Sequence, residues 1–257
     1  MNTVTRISQF RNRVRTGEFT LGTFVKTPHP AVFEVLGAST LDCLCIDAEH
    51  APFGRGELDV AILAARSLDM PTLVRVPDAT PSQCLNALDL GATGVIVPHV
   101  TSAAAAMAAV AACRYGPRGR GYAGSTRAAG YGTRSLAENL SRANREVTLV
   151  AQIEDADAVE EIDAIAAIEG IDALFVGRMD LTVSLGAGSP DDPVVREAVE
   201  RICAAASRAG RAFGMFTPTV AESRHYAARG ASLFLLQSDQ SWLLQGARQL
   251  RDAFSVG

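Results

Sequence analysis

Short apolar runs alternate with longer stretches rich in Ala and Leu along the chain, and this rhythm constrains the fold more than any other feature. Parallel strands that are buried on both faces read as continuous apolar runs, and a helix connects each strand to the next. The runs predict eight strands, near residues 20–25, 42–47, 71–76, 93–97, 148–153, 171–176, 211–215 and 232–236. Eight strand–helix units are typical of an α/β fold of the closed (β/α)8 TIM-barrel type.

The intervening stretches predict helices near residues 30–38, 57–68, 80–90, 102–113, 134–145, 156–167, 193–209, 220–229 and 240–254. The Arg-rich segment from Met1 to Gly17 could be a transit peptide or an amphipathic helix that closes the barrel floor. The helix is favoured, because strand-like sequence begins directly after the segment. The last helix is expected to lie at a subunit interface. Residues 1–257 are predicted to form one domain, since about 250 residues is the usual size of such a barrel. A doubly wound open sheet is the structural alternative.

Composition narrows the functional classes. Hydrophobic residues make up 48% and charged residues 20% of the chain, and no apolar run approaches the roughly 18 residues of a membrane span. The net charge of -4 argues against a nucleic-acid partner, which would require a basic surface. Five cysteines lack metal-ligand spacing and are expected to be reduced and buried, as in a cytoplasmic protein.

The stretch LDCLCIDAEHAP, from residue 41 to 52, is a strand-like run that ends in Asp47, Glu49 and His50. In a parallel barrel the chemistry collects at the carboxyl ends of the strands. One such polar turn by itself would more often cap a helix and carry a solvated histidine. Other strand ends carry matching polar groups, namely Arg75, Gln152, Glu154 and Asp180.

Glu154 and Asp180 follow neighbouring predicted strands and are expected to face each other across one strand spacing, about 4.8 Å. Two hard oxygen ligands without a Cys or a pair of His suit Mg²⁺ or Mn²⁺. The simpler interpretation for each carboxylate is a salt bridge or a helix cap, and Arg178 is close enough in sequence to pair with Asp180.

Arg75 ends the strand TLVRV and is followed by Pro77, so its guanidinium is expected to project into the barrel mouth. A fixed cation there can stabilise an enolate or bind a carboxylate, although a rim arginine at the surface is an equally good interpretation. His50 lies among acids that can orient its ring for general-base work. His99 follows another strand and is a further candidate for the mouth.

Lys26 is the only lysine among 24 basic residues, so a Schiff-base mechanism would have to use it. It follows the first strand and is remote in sequence from the acid pair. Gly119, Gly121 and Gly124 match the spacing of a dinucleotide-binding loop, but they follow a predicted helix rather than a first strand. This loop is expected to be a lid or interface loop, in which Arg118 and Arg120 meet an anionic substrate or another subunit.

Together these segments resemble the HpcH/HpaI aldolase family, the metal-dependent class II pyruvate aldolases that include the 4-hydroxy-2-oxoheptanedioate aldolases. The resemblance covers nearly the whole chain. It is carried by LDCLCIDAEHAP, by PTLVRVP at 71–77, ALDLGATGVIVPHV at 87–100, RYGPRGRG at 114–121, AQIED at 151–155 and EGIDALFVGRMDLTVSLG at 169–186.

The resemblance implies a cytoplasmic, hexameric barrel that cleaves 4-hydroxy-2-oxo acids into pyruvate and an aldehyde, as in the catabolism of aromatic compounds. It implies a divalent metal (Mg²⁺, Mn²⁺ or Co²⁺) held by Glu154 and Asp180, with Gln152 near the metal waters. Arg75 is implied to contact the keto oxygen and His50 to move protons. Asp47, and Asp89 from a neighbouring subunit, are implied to support the histidine.

The departure from the family lies after the sixth strand. The family commonly has Gly-Pro-Ala-Asp, whereas this chain has Gly177, Arg178, Met179 and Asp180, and main-chain N–H groups of this turn are expected to bind the pyruvate carboxylate. The alternatives are a CoA-ester lyase of the citrate lyase β or malyl-CoA lyase type, an NAD-dependent oxidoreductase using the glycine loop, and a barrel that only binds ligands.

Overall fold

Eight parallel strands form a closed barrel in the computed structural model, which describes residues 5–254. The strands pair in sequence order and β8 closes against β1, so the open-sheet alternative is wrong. The strands are β1 (Thr20–Val25), β2 (Cys43–Asp47), β3 (Thr72–Arg75), β4 (Gly94–Val97), β5 (Thr148–Ile153), β6 (Ala173–Val176), β7 (Ala212–Thr217) and β8 (Leu233–Ser238). The predicted strands agree with these within a few residues.

Alternate residues of each strand face the barrel interior and the surrounding helices, because the side-chain period of a strand is two. In β2, Cys43 and Cys45 belong to the interior cluster, and Leu44 and Ile46 belong to the larger cluster between sheet and helices. All five cysteines are free thiols, and burial raises the pKa of Cys43 to about 12. The expectation that the cysteines are small apolar core residues is met by the four that are buried; Cys203 is only partly buried.

The helices are α1 (Arg6–Arg15), α2 (Pro30–Gly37), α3 (Arg55–Ser67), α4 (Pro81–Asp89), α5 (Ala103–Cys113), α6 (Leu136–Glu146), α7 (Ala156–Glu160), α8 (Ile162–Ala166), α9 (Arg178–Ser184), α10 (Pro193–Arg208), α11 (Val220–Ala227) and α12 (Asp239–Phe254). Among the described residues, no helix is long and apolar enough to cross a membrane.

The helices differ from the prediction at two places. The stretch 156–167 is two helices that meet at Glu161, because its acids lie three and four residues apart without a base and repel one another along a continuous helix. The short helix α9 was not predicted, since its β-branched Thr182 and Val183 are weak helix formers.

Helix α1 closes the floor of the barrel. Phe10 and Val14 are fully buried and pack into the interior cluster, as predicted from the amphipathic pattern. Below the sheet, the buried carboxylate of Asp172 accepts hydrogen bonds from Arg11 Nε at 2.9 Å and from Arg114 Nη2 at 3.0 Å. The first four residues of the predicted N-terminal segment lie outside the described part of the chain.

Strand register brings the predicted polar residues to the opposite end of the barrel. Asp47 on β2 is directly beside Arg75 on β3. Ile153 on β5 is beside Val176 on β6, so Glu154 and Gly177, the residues that follow them, leave the sheet at the same level. The carboxyl ends of the strands therefore form one rim on which these side chains meet.

Candidate active site

Asp47 and Arg75 form a buried ion pair on the rim. Arg75 Nη2 lies 2.8 Å and Arg75 Nε 3.1 Å from Asp47 Oδ1. Burial by itself would raise the pKa of Asp47, but the charge and hydrogen bonds of Arg75, with the main-chain N–H of His50 and the ammonium of Lys26, lower it overall. Asp47 thus remains a carboxylate in spite of being fully buried.

Arg75 is 7% exposed, so the interpretation of a surface arginine on the rim is wrong. Its Nε lies 3.2 Å from Glu49 Oε2, and its guanidinium stacks 4.7 Å from the centre of the Phe24 ring. Two carboxylates and an aromatic face therefore hold the guanidinium in one orientation. A cation held in this way can stabilise negative charge without reorganising during a reaction.

Glu49 links the guanidinium to two histidines on the rim. Its carboxylate lies 3.7 Å from His50 Nε2 and 3.7 Å from His99 Nε2. Burial and the neighbouring charge of Glu154 raise the pKa of Glu49 above its ordinary value, although Arg75 and the histidines oppose this shift. Asp47 accepts a hydrogen bond from the main-chain N–H of His50 at 3.1 Å, so it fixes the backbone of the histidine rather than its ring.

Glu154 is a buried carboxylate, 2% exposed, without a fixed cation. Its Oε1 accepts a hydrogen bond from the main-chain N–H of His99 at 3.0 Å, and its Oε2 accepts a hydrogen bond from the side-chain N–H of Gln152. Within residues 5–254, no Lys or Arg nitrogen lies within 4.0 Å of it, and the ionisable nitrogen nearest to it is His99 Nδ1, 3.6 Å from Oε1. A buried charge normally needs a countercharge, so this carboxylate has the environment of a cation ligand.

Gln152 and Gly177 support the same conclusion. Gln152 Oε1 is buried and has no hydrogen-bond partner in the described chain, which leaves an acceptor for a cation or for its bound water. A Cβ atom at Gly177 would lie 2.5 Å from Glu154 Oε2, so glycine keeps that oxygen accessible. These features fit a divalent cation at Glu154, although no group of three or more Cys, His, Asp or Glu with metal-site geometry occurs among the described residues.

Asp180 lies in the first turn of α9 and lines the cavity in the barrel mouth. The predicted alternative, a salt bridge from Arg178 to Asp180, is not formed, because Arg178 instead pairs with Glu222 and Asp191. The cavity has a volume of about 550 Å³, and His50, Arg75 and Gln152 also line it. The predicted residues that line this one cavity are His50, Arg75, Gln152, Gly177, Arg178, Met179 and Asp180. Asp47 and Glu154 contact its walls, whereas Glu49, His99 and Asp89 are not lining residues.

The sequence profile of the HpcH/HpaI aldolase/citrate lyase family matches residues 20–245. The chain belongs to this family. It is 33% identical over 249 residues to a 5-keto-4-deoxy-D-glucarate aldolase from Klebsiella pneumoniae, with 96% of each chain covered. It is 34% identical over 247 residues to a hydroxypyruvate/pyruvate aldolase from Paraburkholderia phytofirmans, with 93% of this chain and 94% of the relative covered.

Among solved structures, a HpcH/HpaI aldolase/citrate lyase family protein from Burkholderia cenocepacia superposes with a TM-score of 0.91 and 36% identity. The match covers 96% of this chain and 100% of that one. Membership of the HpcH/HpaI family and full-length similarity to aldolases identify the chain as an enzyme of the aldolase class, a carbon–carbon lyase.

Arg178 and Met179, which depart from the common HpcH/HpaI pattern, face different surroundings. The Arg178 guanidinium pairs with Glu222 and lies 5.4 Å from the centre of the Tyr226 ring, whereas Met179 is 59% exposed. The Gly177 N–H donates to Ile153 O at 3.0 Å and is already used by the sheet. The main-chain N–H groups of Arg178 and Met179 lie in the first turn of α9, where helical N–H groups lack intrahelical partners.

Asp89 does not join the other site residues within its own chain. It ends α4, and its Oδ1 accepts a hydrogen bond from Arg120 Nη2 at 2.6 Å. Arg120 comes from the glycine-containing loop and stacks 4.5 Å from the centre of the Tyr115 ring. That loop follows α5 rather than a strand, so it lacks the structural context of a dinucleotide site.

Lys26 is the site residue that sequence reasoning missed. Its Nζ lies 3.1 Å from Asp47 Oδ2, and its side chain lines the cavity. Distance along the sequence from Glu154 and Asp180 was misleading, because barrel closure brings the end of β1 to the same rim. The signal that could have found it is its position directly after a predicted strand.

Proposed function

We propose that the enzyme is a divalent-metal-dependent aldolase that reversibly cleaves 4-hydroxy-2-oxo acids into pyruvate and an aldehyde. The observation that carries the proposal is that two unlike charged groups lie at the same barrel mouth. Glu154 is a buried carboxylate without a fixed cation, and Arg75 is a buried cation held by two carboxylates. The first fits a metal ion and the second fits a developing oxyanion.

Glu154 and Asp180 would hold the cation, with Gln152 hydrogen-bonded to its waters. Oxygen ligands suit Mg²⁺, Mn²⁺ or Co²⁺, and the identity of the ion is part of the proposal. When bound, such an ion acts as a Lewis acid that polarises the 2-oxo group of the substrate.

Arg75 would bind the 2-oxo oxygen and stabilise the negative charge that develops there as the carbon–carbon bond breaks. The main-chain N–H groups of Arg178 and Met179 would bind the carboxylate of the pyruvate unit. Gly177 contributes by having no side chain, because a Cβ atom would press on Glu154. In the reverse direction the same contacts would orient pyruvate for attack on the aldehyde.

His50 would accept the proton of the 4-hydroxyl group during cleavage and return it during addition. Its side chain is 54% exposed, so the ring can reach substrate or a bridging water in the mouth. Asp47 fixes the backbone of this residue, and the Glu49 carboxylate lies 3.7 Å from the ring. Asp89 of a neighbouring subunit would complete the support of the ring.

A homo-hexamer is the proposed assembly, with α12 at a subunit interface. The support is an apolar stripe on this helix, in which Leu243, Leu244, Leu250 and Phe254 are each more than half exposed. Exposed apolar patches of this kind commonly mark protein–protein contacts.

The test is a coupled assay for pyruvate released from a panel of 4-hydroxy-2-oxo acids. Activity should disappear with EDTA and return with added Mn²⁺, Co²⁺ or Mg²⁺. If no substrate in the panel released pyruvate with any of the metals supplied, the proposal would be wrong.

A further inference from the structure

Helix α9 carries Asp180, yet little within the helix itself fixes its first turn. The helix has seven residues, and its buried residues are Leu181 and Thr182, in the second half. A helix this short is not stable without contacts to the rest of the fold. The residue before it, Gly177, donates its N–H to Ile153 O at 3.0 Å but makes no side-chain cap. The position of the first turn therefore depends on side chains that reach other elements.

Arg178 is the residue of this turn whose side chain reaches them. Its Nη1 pairs with Glu222 of α11, and its Nη2 lies 3.7 Å from Asp191 Oδ1 and donates to Pro190 O at 3.5 Å. Its guanidinium also lies 5.4 Å from the centre of the Tyr226 ring, one helical turn after Glu222. The side chain is 11% exposed. One arginine thus joins α9 to α11 and to the segment that precedes α10.

The preferences of a helix do not explain an arginine at this position. A cation is unfavourable in the first turn, because the N-terminal end of a helix carries partial positive charge. Arg178 is the first helical residue, directly after the N-cap Gly177. Proline is favoured there because its ring fixes the backbone without any side-chain partner. An arginine leaves that dihedral free, so its contacts with α11 are what restrain the turn.

We propose that Arg178 is a positioning residue, whose ion pair with Glu222 holds the first turn of α9 so that Asp180 faces the metal site. The inference rests on the proposed function and gives the Arg178 side chain a role that is separate from its main-chain N–H. Two other roles are possible for this side chain. It could contribute only to the stability of the fold, or it could contact the substrate directly, since it lines the cavity.

Calorimetric titration of Mn²⁺ into the metal-free enzyme separates these roles without an activity assay. Arg178→Met and Glu222→Gln each break the ion pair, and each should weaken Mn²⁺ binding by about 10-fold, as for other residues that orient metal ligands. Arg178→Pro should bind within about threefold of the wild type, because proline fixes the same backbone position. Pyruvate is left out, since proline also removes a main-chain N–H proposed to bind it. Arg201→Met, which breaks an exposed ion pair with Glu160, is the matched control.

The double variant Arg178→Met with Glu222→Gln should also lose about 10-fold, because both substitutions break the same pair. Circular dichroism at the temperature of the titration shows whether each variant is folded, and the isosteric Glu222→Gln decides the test if Arg178→Met is not.

Wild-type affinity in the folded variants that lack the ion pair would overturn the proposal. Equal losses in Arg178→Met and Arg178→Pro would also overturn it, because restraint of the backbone would then not be the role of the side chain. If the wild type bound no Mn²⁺, the proposed function would be wrong and the inference would fall with it. Binding by the wild type with no effect of the variants would refute the inference alone.

Discussion

At the scale of single residues, three groups of the rim converge on the carboxylate of Asp47. Its oxygens contact Arg75, Lys26 and the main-chain N–H of His50. Two cations from β3 and from the end of β1 thus share one fully buried carboxylate. Removing one partner from a buried charge cluster is costly because the remaining charges stay desolvated.

Asp47→Asn should therefore lower the free energy of unfolding by about 3 to 5 kcal/mol at pH 7. The pKa of Asp47 is below its ordinary value of 3.8 in the folded protein, so its stabilisation is present above that value and is lost as the pH falls through the folded pKa. Urea unfolding of wild type and variant should show a gap that narrows below about pH 4. A gap that is independent of pH would mean that the charge of Asp47 is not its source.

Lys26 sits in the cavity and could be suspected of forming an imine with pyruvate. Because the proposed mechanism uses a metal ion, Lys26→Arg should remain active, and borohydride should trap no pyruvate adduct. Mass spectrometry of the enzyme after incubation with pyruvate and borohydride would detect such an adduct. An adduct on Lys26, together with loss of activity in Lys26→Arg, would instead identify an imine mechanism.

At the scale of single elements, helix α1 is attached to the barrel floor through the buried carboxylate of Asp172. Asp172, 3% exposed, accepts hydrogen bonds from Arg11 of α1, from Arg114 and from the main-chain N–H of Leu149 on β5. Asp172→Asn should cost about 3 kcal/mol of unfolding free energy, measured with urea. The matched control is Asp163→Asn, whose 71% exposed carboxylate pairs with Arg208 and should contribute less than about 1 kcal/mol. Equal losses in the two variants would contradict this account of the floor.

Strands and helices with a clear apolar pattern could be predicted from the sequence. Contacts between side chains that only the folded barrel brings together could not. The strands are found because their residues are buried on both faces, and their polar ends mark the rim. Helix α9 was not predicted because it is short and contains the β-branched residues Thr182 and Val183, which are weak helix formers. The pairing of Lys26 with Asp47 depends on β1 and β2 meeting in register, and that of Asp89 with Arg120 on the path of an irregular loop.

At the scale of the whole molecule, α12 presents an apolar stripe that a subunit contact would cover. Leu250 is 76% and Phe254 is 84% exposed in the single chain. Replacing both by Glu should shift the assembly to smaller species, measured by size-exclusion chromatography with light scattering. Val35→Glu, at a residue of α2 that is 71% exposed, is the control. An unchanged mass for the double variant would place the contact elsewhere.

Asp89 tests whether the assembly completes the site. Mixed oligomers of inactive His50→Ala and impaired Asp89→Ala subunits should release more pyruvate than the two parents together, since some interfaces regain both residues. No gain in demonstrably mixed oligomers, or full activity of Asp89→Ala alone, would rule out a shared site. The ion pair of Asp89 with Arg120 within the chain is the competing role.

Calorimetric titration of Mn²⁺ into metal-free wild type, Glu154→Gln and His50→Ala tests the central claim most directly. The claim is that Glu154 is a metal ligand and His50 moves protons. Wild type and His50→Ala should bind the ion with similar affinity, although His50→Ala should lose the rate of pyruvate release. Glu154→Gln should lose at least the roughly 10- to 100-fold in affinity that removal of an outer-shell partner costs. Unchanged binding by Glu154→Gln would contradict the account.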